Sequence, residues 1–149
     1  MADSPPIRSA LDDLHLTDDP LADAVRVSAA AARAGFDWRS VGPVVSAVRS
    51  EVVELEEAIT ADDGPAQHHE LGDVLLAVCN LARHLGVAPD EALRDANHRF
   101  EQRFRTLEGR ARAEGHALTD LDDDDLERRW QAAKRTLRRM EGGGVPPRA

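Results

Sequence analysis

Apolar residues recur at helical spacing through much of this 149-residue chain. In the clearest stretch they stand three or four positions apart, at Val45, Val48, Val52, Leu55 and Ile59. Residues at this spacing share one side of an α-helix, so the stretch predicts an amphipathic helix rather than a strand. Only 3% of the residues are aromatic and Tyr is absent, whereas the helix formers Ala, Leu, Glu and Arg are plentiful. These features predict an all-α fold.

Five helices are predicted from this spacing and from the residues that interrupt it. Glycines at positions 35, 86 and 115 and the turn Asp62-Asp63-Gly64-Pro65 are typical helix stops. The predicted helices cover residues 21–34, about 41 or 44 to 59, 67–85, 89–113, and a segment that follows 122–125. The third helix is expected to bury the apolar residues Leu71, Val74, Leu75, Val78, Leu81 and Leu85. Breaker-rich ends then suggest a flexible segment over 1–20, a helical domain over 21–140 and a flexible tail over 141–149.

Charge and composition exclude several classes of function. A formal net charge of −9 and a pI near 5.1 would repel a phosphate backbone, so nucleic acid is not an expected partner. The sequence has no run of about 18 apolar residues, so no membrane helix is expected. An N-terminus with Asp3, Pro5 and Pro6 does not resemble a signal peptide. The single cysteine, Cys79, lies in an apolar run and is expected to be buried in a reducing compartment. We therefore expect a cytoplasmic protein.

Two pairs of carboxylates stand at i,i+3 spacing in consecutive predicted helices. Glu51 and Glu54 flank the apolar side of the second helix, and Glu70 and Asp73 flank that of the third. Four oxygens that converged between the helices would suit a hard cation such as Mg²⁺, and would repel one another without it. Asn80 shares the flank of Glu70 and Asp73 and could orient a ligand. The alternative is that these acids are ordinary solvated surface.

Three longer stretches resemble the MazG family of nucleoside triphosphate pyrophosphohydrolases. They are GFDWRSVGPVVSAVRSEVVELEEAI, HHELGDVLLAVCNLARHLG and ANHRFEQRFRTLE, and a W-x-x-x-K pattern follows them near the C-terminus. The resemblance covers about Val25 to Lys134. It implies a four-helix-bundle core with an additional C-terminal helix, dependence on Mg²⁺ with Mn²⁺ as a substitute, and a homodimer or homotetramer. It also implies hydrolysis of NTPs or dNTPs to the monophosphate and pyrophosphate.

The same resemblance assigns roles to individual residues. The four carboxylates match the family's metal ligands, with Glu51 and Glu54 also expected at the catalytic step. The positions matching substrate contacts are Asn80, Asn97, Arg99, Arg103, Trp130 and Lys134. Trp130 also fits an apolar stripe with Leu126, and the two arginines also fit surface ion pairs, so a packing role remains open for them.

Three positions depart from the family pattern. Ser50 stands where many relatives carry a glutamate, Ala47 replaces a common lysine, and Arg99 replaces another lysine with the charge retained. If that glutamate binds an extra cation or activates water in relatives, then Glu54 or Glu57 must take over its role here, or the activity is weaker. The alternatives are a narrow-substrate relative acting on dUTP, dCTP or phosphoribosyl-ATP, and a non-catalytic interaction or nucleotide-sensing protein.

Histidines and aromatic residues complete the sequence-based expectations. His68 and His69 diverge by about 100° on a helix and so cannot hold one metal together. His84 is expected to be an interface residue. Phe100, Phe104 and Trp38, added to the long apolar stripes, exceed what one thin bundle would bury, so the chain is expected to form an obligate oligomer.

Overall fold

The computed structural model describes the backbone of residues 8–142 and the side chains of residues 8–139. Over that range the chain has five α-helices, one 3₁₀ turn at Leu118–Asp120 and no strand, which confirms the all-α prediction. The helices are α1 (Pro20–Arg33), α2 (Val41–Thr60), α3 (Gly64–Leu85), α4 (Pro89–Ala113) and α5 (Asp123–Gly142). Parts of both predicted flexible ends lie outside the described residues, so the predicted domain bounds stay a prediction.

The ends of α3 show why these helices begin and end where the sequence indicates. The Asp63 carboxylate caps the start by accepting a hydrogen bond from the backbone N–H of Ala66 at 3.0 Å. At the other end Gly86 has φ +67°, and the following N–H of Val87 bonds back to the carbonyl of Ala82 at 2.9 Å. A left-handed backbone conformation at this position costs less energy for glycine than for any other residue.

The chain divides into two compact units, with the boundary between Ala92 and Leu93 inside α4. In the first unit α2 and α3 fold back on each other across the short turn 61–63, and α1 packs on α3. Its buried apolar residues are Ala30, Val44, Ala58 and Cys79. The burial predicted for Cys79 is therefore confirmed.

The segment before α1 is tied to that helix by a buried carboxylate. Asp23 is only 5% exposed and accepts hydrogen bonds from the backbone N–H and the hydroxyl of Thr17. Arg26 pairs with the same carboxylate and also donates to the carbonyl of His15 at 2.9 Å. The backbone hydrogen bond from Thr17, followed by the one from Arg26, lowers the pKa of Asp23. These contacts compensate the burial of a charge.

In the second unit, the buried apolar residues are Leu107 and Ala111 of α4 and Ala133 of α5. A side-chain hydrogen bond from Arg110 Nη2 to Thr136 Oγ1, 2.7 Å long, joins the two helices. Ala133 of α5 is fully buried.

The predicted burial of α3 is wrong for four residues of the single chain. Leu71, Leu75, Val78 and Leu85 are between 43% and 59% exposed. They recur at offsets of 4, 7 and 14, so they share one side of the helix. When a helix is apolar on more than one side, its sequence does not specify which side is buried. The neighbouring helices decide that. Phe100 and Phe104 on α4 are also exposed.

No single helix among residues 8–142 is both long enough and apolar enough to cross a membrane. Taken together as a bent pair, α3 and α4 do meet that criterion by length and composition alone.

Candidate active site

Three of the four predicted carboxylate ligands converge between α2 and α3. Glu51 from α2 and Glu70 and Asp73 from α3 each place a carboxylate oxygen within 4.8 Å of the others. All three are half-buried. The i,i+3 spacing puts Glu70 and Asp73 on the same side of α3, and the pairing of α2 with α3 brings Glu51 opposite them. This carboxylate cluster is the candidate cation site.

The electrostatics of Glu51 reflect this crowding. Burial raises the pKa of the Glu51 carboxyl above its ordinary value, and the charges of Glu54, Asp73 and Glu70 raise it further. The charge of His69 opposes the rise. Carboxylates held this close repel one another until a cation neutralises them. Three oxygen donors of this kind fit Mg²⁺ or Mn²⁺.

Glu54 lies outside the cluster although it was predicted as its fourth ligand. It is exposed on α2, beside Arg49, Ser50 and Val53, yet its charge still contributes to the raised pKa of Glu51. Ser50, at the position of the missing glutamate, donates its hydroxyl to the carbonyl of Ser46 at 3.3 Å. Position 50 therefore supplies no carboxylate, and the acidic group next to the cluster is Glu54.

A histidine that the sequence interpretation set aside also contacts the cluster. His69 Nε2 lies 3.3 Å from Asp73 Oδ2, one helical turn away on α3. The i,i+4 spacing of His69 and Asp73 could have revealed this contact. The interpretation considered His69 only as a partner of His68. Contacts of this kind fix the orientation of a metal-binding carboxylate.

Glu51 and Asp73 also line a cavity of about 530 Å³ within the first unit. Its walls come from α1, from the loop between α1 and α2, and from α2 and α3. Asn80, a predicted substrate contact, lines the same cavity from α3, and Ala47 lines it from α2. The cavity therefore continues directly from the candidate cation site.

The loop that lines this cavity is anchored by Asp37 and Arg83, which the sequence interpretation missed, and by His84, which it expected at an interface. Asp37 accepts hydrogen bonds from Arg83 Nη2 at 2.6 Å and Nη1 at 3.1 Å, and His84 Nε2 lies 2.9 Å from its Oδ1. The hydrogen bond from Arg83 is the main reason that the pKa of Asp37 falls to about 2. Both partners are separated from Asp37 by more than forty residues, so no local spacing could have indicated the contact.

The remaining predicted substrate contacts belong to the second unit. Asn97 and Arg99 are exposed on α4, and Arg103 is partly buried with no hydrogen-bond partner for its Nε among the described atoms. Trp130 packs against Phe100 with ring centroids 5.2 Å apart, and Lys134 Nζ lies 5.7 Å from the centre of the indole. Trp130 thus contacts α4 from α5, and its role at the substrate stays a prediction.

Comparison with known proteins identifies the family. Residues 39–107 match the model of the MazG nucleotide pyrophosphohydrolase domain. That segment contains the carboxylate cluster together with Glu54, Asn80, Arg99 and Arg103. This match assigns residues 39–107 to the MazG family. The family resemblance read from the sequence is therefore confirmed.

Curated relatives extend the MazG similarity beyond the domain match. A nucleoside triphosphate pyrophosphohydrolase of Escherichia coli K12 is 40% identical over 129 residues, which cover 85% of this chain and 49% of that protein. A nucleoside triphosphate pyrophosphohydrolase/pyrophosphatase MazG of Thermotoga maritima is 35% identical over 109 residues, 73% of this chain and 42% of that protein. The chain thus spans about half the length of these relatives. MazG proteins depend on metal in general, which agrees with an acidic cluster in the MazG segment.

Proposed function

We propose that this protein is a metal-dependent nucleoside triphosphate pyrophosphohydrolase that converts NTPs or dNTPs to the monophosphate and pyrophosphate. The observation that supports this most is the convergence of Glu51, Glu70 and Asp73 within 4.8 Å, inside a MazG segment and on the edge of a cavity. A cavity of about 530 Å³ falls in the size range of small-molecule sites.

Glu51, Glu70 and Asp73 would hold the cation, which we take to be Mg²⁺ with Mn²⁺ as a substitute. Their all-oxygen donor set and the raised pKa of Glu51 support this choice. When bound, such a cation supplies positive charge for the triphosphate oxygens and lowers the pKa of a bound water. His69 would hold Asp73 in its orientation through the 3.3 Å contact.

We assign Glu54 as the general base that accepts the proton of the attacking water. Glu54 is exposed to solvent and lies outside the three-carboxylate cluster, so its carboxylate is available to accept a proton from water. The water oxygen bonds to the α-phosphorus as the bond from that phosphorus to the bridging oxygen breaks. Pyrophosphate then leaves with the electrons of that bond, and one proton is released per turnover at neutral pH.

The MazG resemblance supports a further proposal, that cationic side chains neutralise the triphosphate. Arg99, Arg103 and Lys134 are the candidates, with Asn97 and Trp130 as further contacts to the nucleotide. Guanidinium groups suit this role because they donate several hydrogen bonds in a fixed plane to phosphate oxygens. The unpartnered Nε of Arg103 is consistent with a ligand that completes its contacts.

We also propose that the active form is a homodimer or homotetramer and that it works in the cytoplasm. The exposed apolar stripe on α3, formed by Leu71, Leu75, Val78 and Leu85, supports the oligomer. A second copy of the chain would shield this surface from water.

The proposed activity is tested with a panel of NTPs and dNTPs in the presence of Mg²⁺, with detection of released pyrophosphate. Glu54→Gln should abolish turnover, while Glu56→Gln, an exposed neighbour on the same helix, should leave it unchanged. Activity confined to dUTP, dCTP or phosphoribosyl-ATP would favour the narrow-substrate alternative. No hydrolysis of any nucleotide would favour the sensing or interaction protein.

The bond that breaks is tested separately with ¹⁸O-labelled water. Attack on the α-phosphorus places the label in the nucleoside monophosphate and leaves the pyrophosphate unlabelled. Label in pyrophosphate would mean attack on the β-phosphorus. Release of orthophosphate with a nucleoside diphosphate would contradict the proposed reaction class.

A further inference from the structure

Arg83 lines the cavity beside the carboxylate cluster, where an arginine would ordinarily suggest a phosphate contact. Its guanidinium is already paired within the chain. Nη1 donates to Asp37 Oδ2 at 3.1 Å, and Nη2 donates to Asp37 Oδ1 at 2.6 Å. The side chains of Arg83 and Asp37 are only 18% and 29% exposed. The carboxylate of Asp37 therefore balances the positive charge of Arg83 next to the cavity.

The other donors of Arg83 orient a neighbouring amide. Nε and Nη2 both donate to Asn80 Oδ1, at 3.1 Å and 2.9 Å. A guanidinium has N–H groups and no acceptor, so the oxygen of the amide faces it and the NH₂ does not. The NH₂ is then the group of Asn80 that is left to donate to a ligand in the cavity, which Asn80 also lines.

The same orientation separates Asn80 from the cation site. The amide oxygen is the atom of an asparagine side chain that binds Mg²⁺ or Mn²⁺. Asn80 Oδ1 already accepts both bonds from Arg83, and Asn80 follows Asp73 by about two turns of α3. Asn80 should therefore donate to the substrate without binding the metal.

Two further contacts hold Asp37 in place. His84, with a side chain that is 12% exposed, places Nε2 2.9 Å from Asp37 Oδ1 and 3.0 Å from Arg83 Nη2. The backbone N–H of Trp38 donates to Asp37 Oδ1 at 2.9 Å. A group that is fixed in its bound orientation loses less conformational entropy when a ligand arrives.

We propose that Arg83 is a positioning residue of the substrate site, which directs the NH₂ of Asn80 to the nucleotide and is itself held by Asp37. This inference rests on the proposed function, because it concerns how one predicted substrate contact is oriented. Arg83 makes no phosphate contact of its own. Its planar fork binds the carboxylate and the amide at once, which the point charge of a lysine cannot do.

A double-mutant cycle on nucleotide binding tests the coupling. The probes are the α,β-methylene analogues of the common NTPs and dNTPs with Mg²⁺, and calorimetry gives the Kd of each. Asn80→Ala should raise the Kd about tenfold, the order expected for one lost hydrogen bond. Arg83→Gln and Arg83→Lys should raise the Kd by a similar factor, and neither should raise it further when combined with Asn80→Ala. Arg128→Gln, which removes an exposed arginine that also pairs with an aspartate, should leave the Kd unchanged.

The outcomes of this cycle separate the inference from the proposed activity. Additive losses would mean that Arg83 contacts the nucleotide itself, and a wild-type Kd in Arg83→Lys would mean that its charge is sufficient. Either result would overturn the proposal. Coupled binding without hydrolysis of any nucleotide would contradict the proposed activity alone, whereas a wild type that binds none of the analogues would overturn both.

Binding of Mn²⁺ without nucleotide gives a readout that needs neither substrate nor turnover. Electron paramagnetic resonance should show the same Mn²⁺ affinity in the wild type, Asn80→Ala and Arg83→Gln, and a lower affinity in Asp73→Asn. If Arg83→Gln does not fold, Arg83→Lys replaces it in the cycle. Weaker Mn²⁺ binding by Asn80→Ala, with an unchanged circular dichroism spectrum, would make the amide oxygen a metal ligand and overturn the proposal.

Discussion

Arg83 and Asp37, which are 46 residues apart in sequence, form a two-point ion pair with distances of 2.6 Å and 3.1 Å. The pair joins the loop before α2 to the last turn of α3. Two parallel N–H···O bonds fix the relative orientation of the two groups better than one bond does. The conformation of the loop therefore depends on the charge of Asp37.

The first prediction concerns acid stability. The pKa of Asp37 is about 2 in the folded chain against 3.8 for the unperturbed group. A lowered folded-state pKa stabilises the fold above the unfolded value, and that stabilisation is lost as the pH falls through about 2. Urea unfolding should show Asp37→Asn to be less stable than the wild type at pH 7, and the difference should shrink at pH 3. Asp18→Asn, an exposed acid in the preceding segment, should show a much smaller difference at pH 7.

The second prediction concerns Glu51 without metal. Its folded-state pKa is raised, so the charged form is disfavoured by folding, and stability falls as the pH rises from the unfolded value through the folded one. Glu51→Gln should therefore have a higher Tm than the wild type at pH 7 with a chelator present. It should also lose activity when metal is restored. Equal or lower Tm of the variant in chelator would mean that the cluster is not repulsive.

The third prediction concerns stabilisation by the cation. At a free Mg²⁺ concentration about 100 times the Kd, a single site stabilises the folded state by about 2.7 kcal/mol. Thermal unfolding should show this stabilisation in the wild type and lose most of it in Asp73→Asn. Glu56→Gln should respond as the wild type does. A metal-dependent shift that is equally large in Asp73→Asn would remove Asp73 from the site.

The fourth prediction concerns the apolar stripe on α3. Leu75 is 53% exposed at its centre, so Leu75→Glu should weaken an oligomer that buries the stripe. Light scattering should give at least twice the chain mass of 16.3 kDa for the wild type and a lower mass for the variant. Leu16→Glu, exposed in the segment before α1, should leave the mass unchanged. A wild-type monomer that is active at micromolar concentration would contradict the oligomer.

The fifth prediction assigns Arg99 and Arg103 to phosphates. Arg99→Ala and Arg103→Ala should each lower kcat/KM. The corresponding loss of transition-state stabilisation should be about 1.5–3 kcal/mol, as expected for hydrogen bonds to charged groups. Arg105 on the same helix pairs with Glu101 at 2.7 Å and is exposed. Arg105→Ala should affect only that surface pair, which contributes little to stability because both side chains are in water, and leave kcat/KM unchanged. If Arg99→Ala and Arg103→Ala behave like Arg105→Ala, both arginines return to a surface role.

The sequence alone determined the helices and the placement of residues around each one. Asp63 and Gly86 mark the ends of α3 because capping and left-handed backbone are properties of a few adjacent residues. The i,i+3 spacing likewise places Glu70 and Asp73 on one side of that helix without reference to any other element. Periodicity of this kind gives the angle of a residue around its own axis.

Only the tertiary structure decided which of those residues meet. The pairing of α2 with α3 places Glu51 beside Glu70 and Asp73 and leaves Glu54 outside the cluster. In the sequence both glutamates flank the apolar side of the same helix, so they could not be distinguished there. Neighbouring helices also determined that Leu75 stays exposed and Cys79 becomes buried. The contact between Asp37 and Arg83 depends on the return of the chain after 46 residues, and no local pattern specifies it. Packing between elements depends on the shapes of both partners at once, whereas helical periodicity depends on one segment alone.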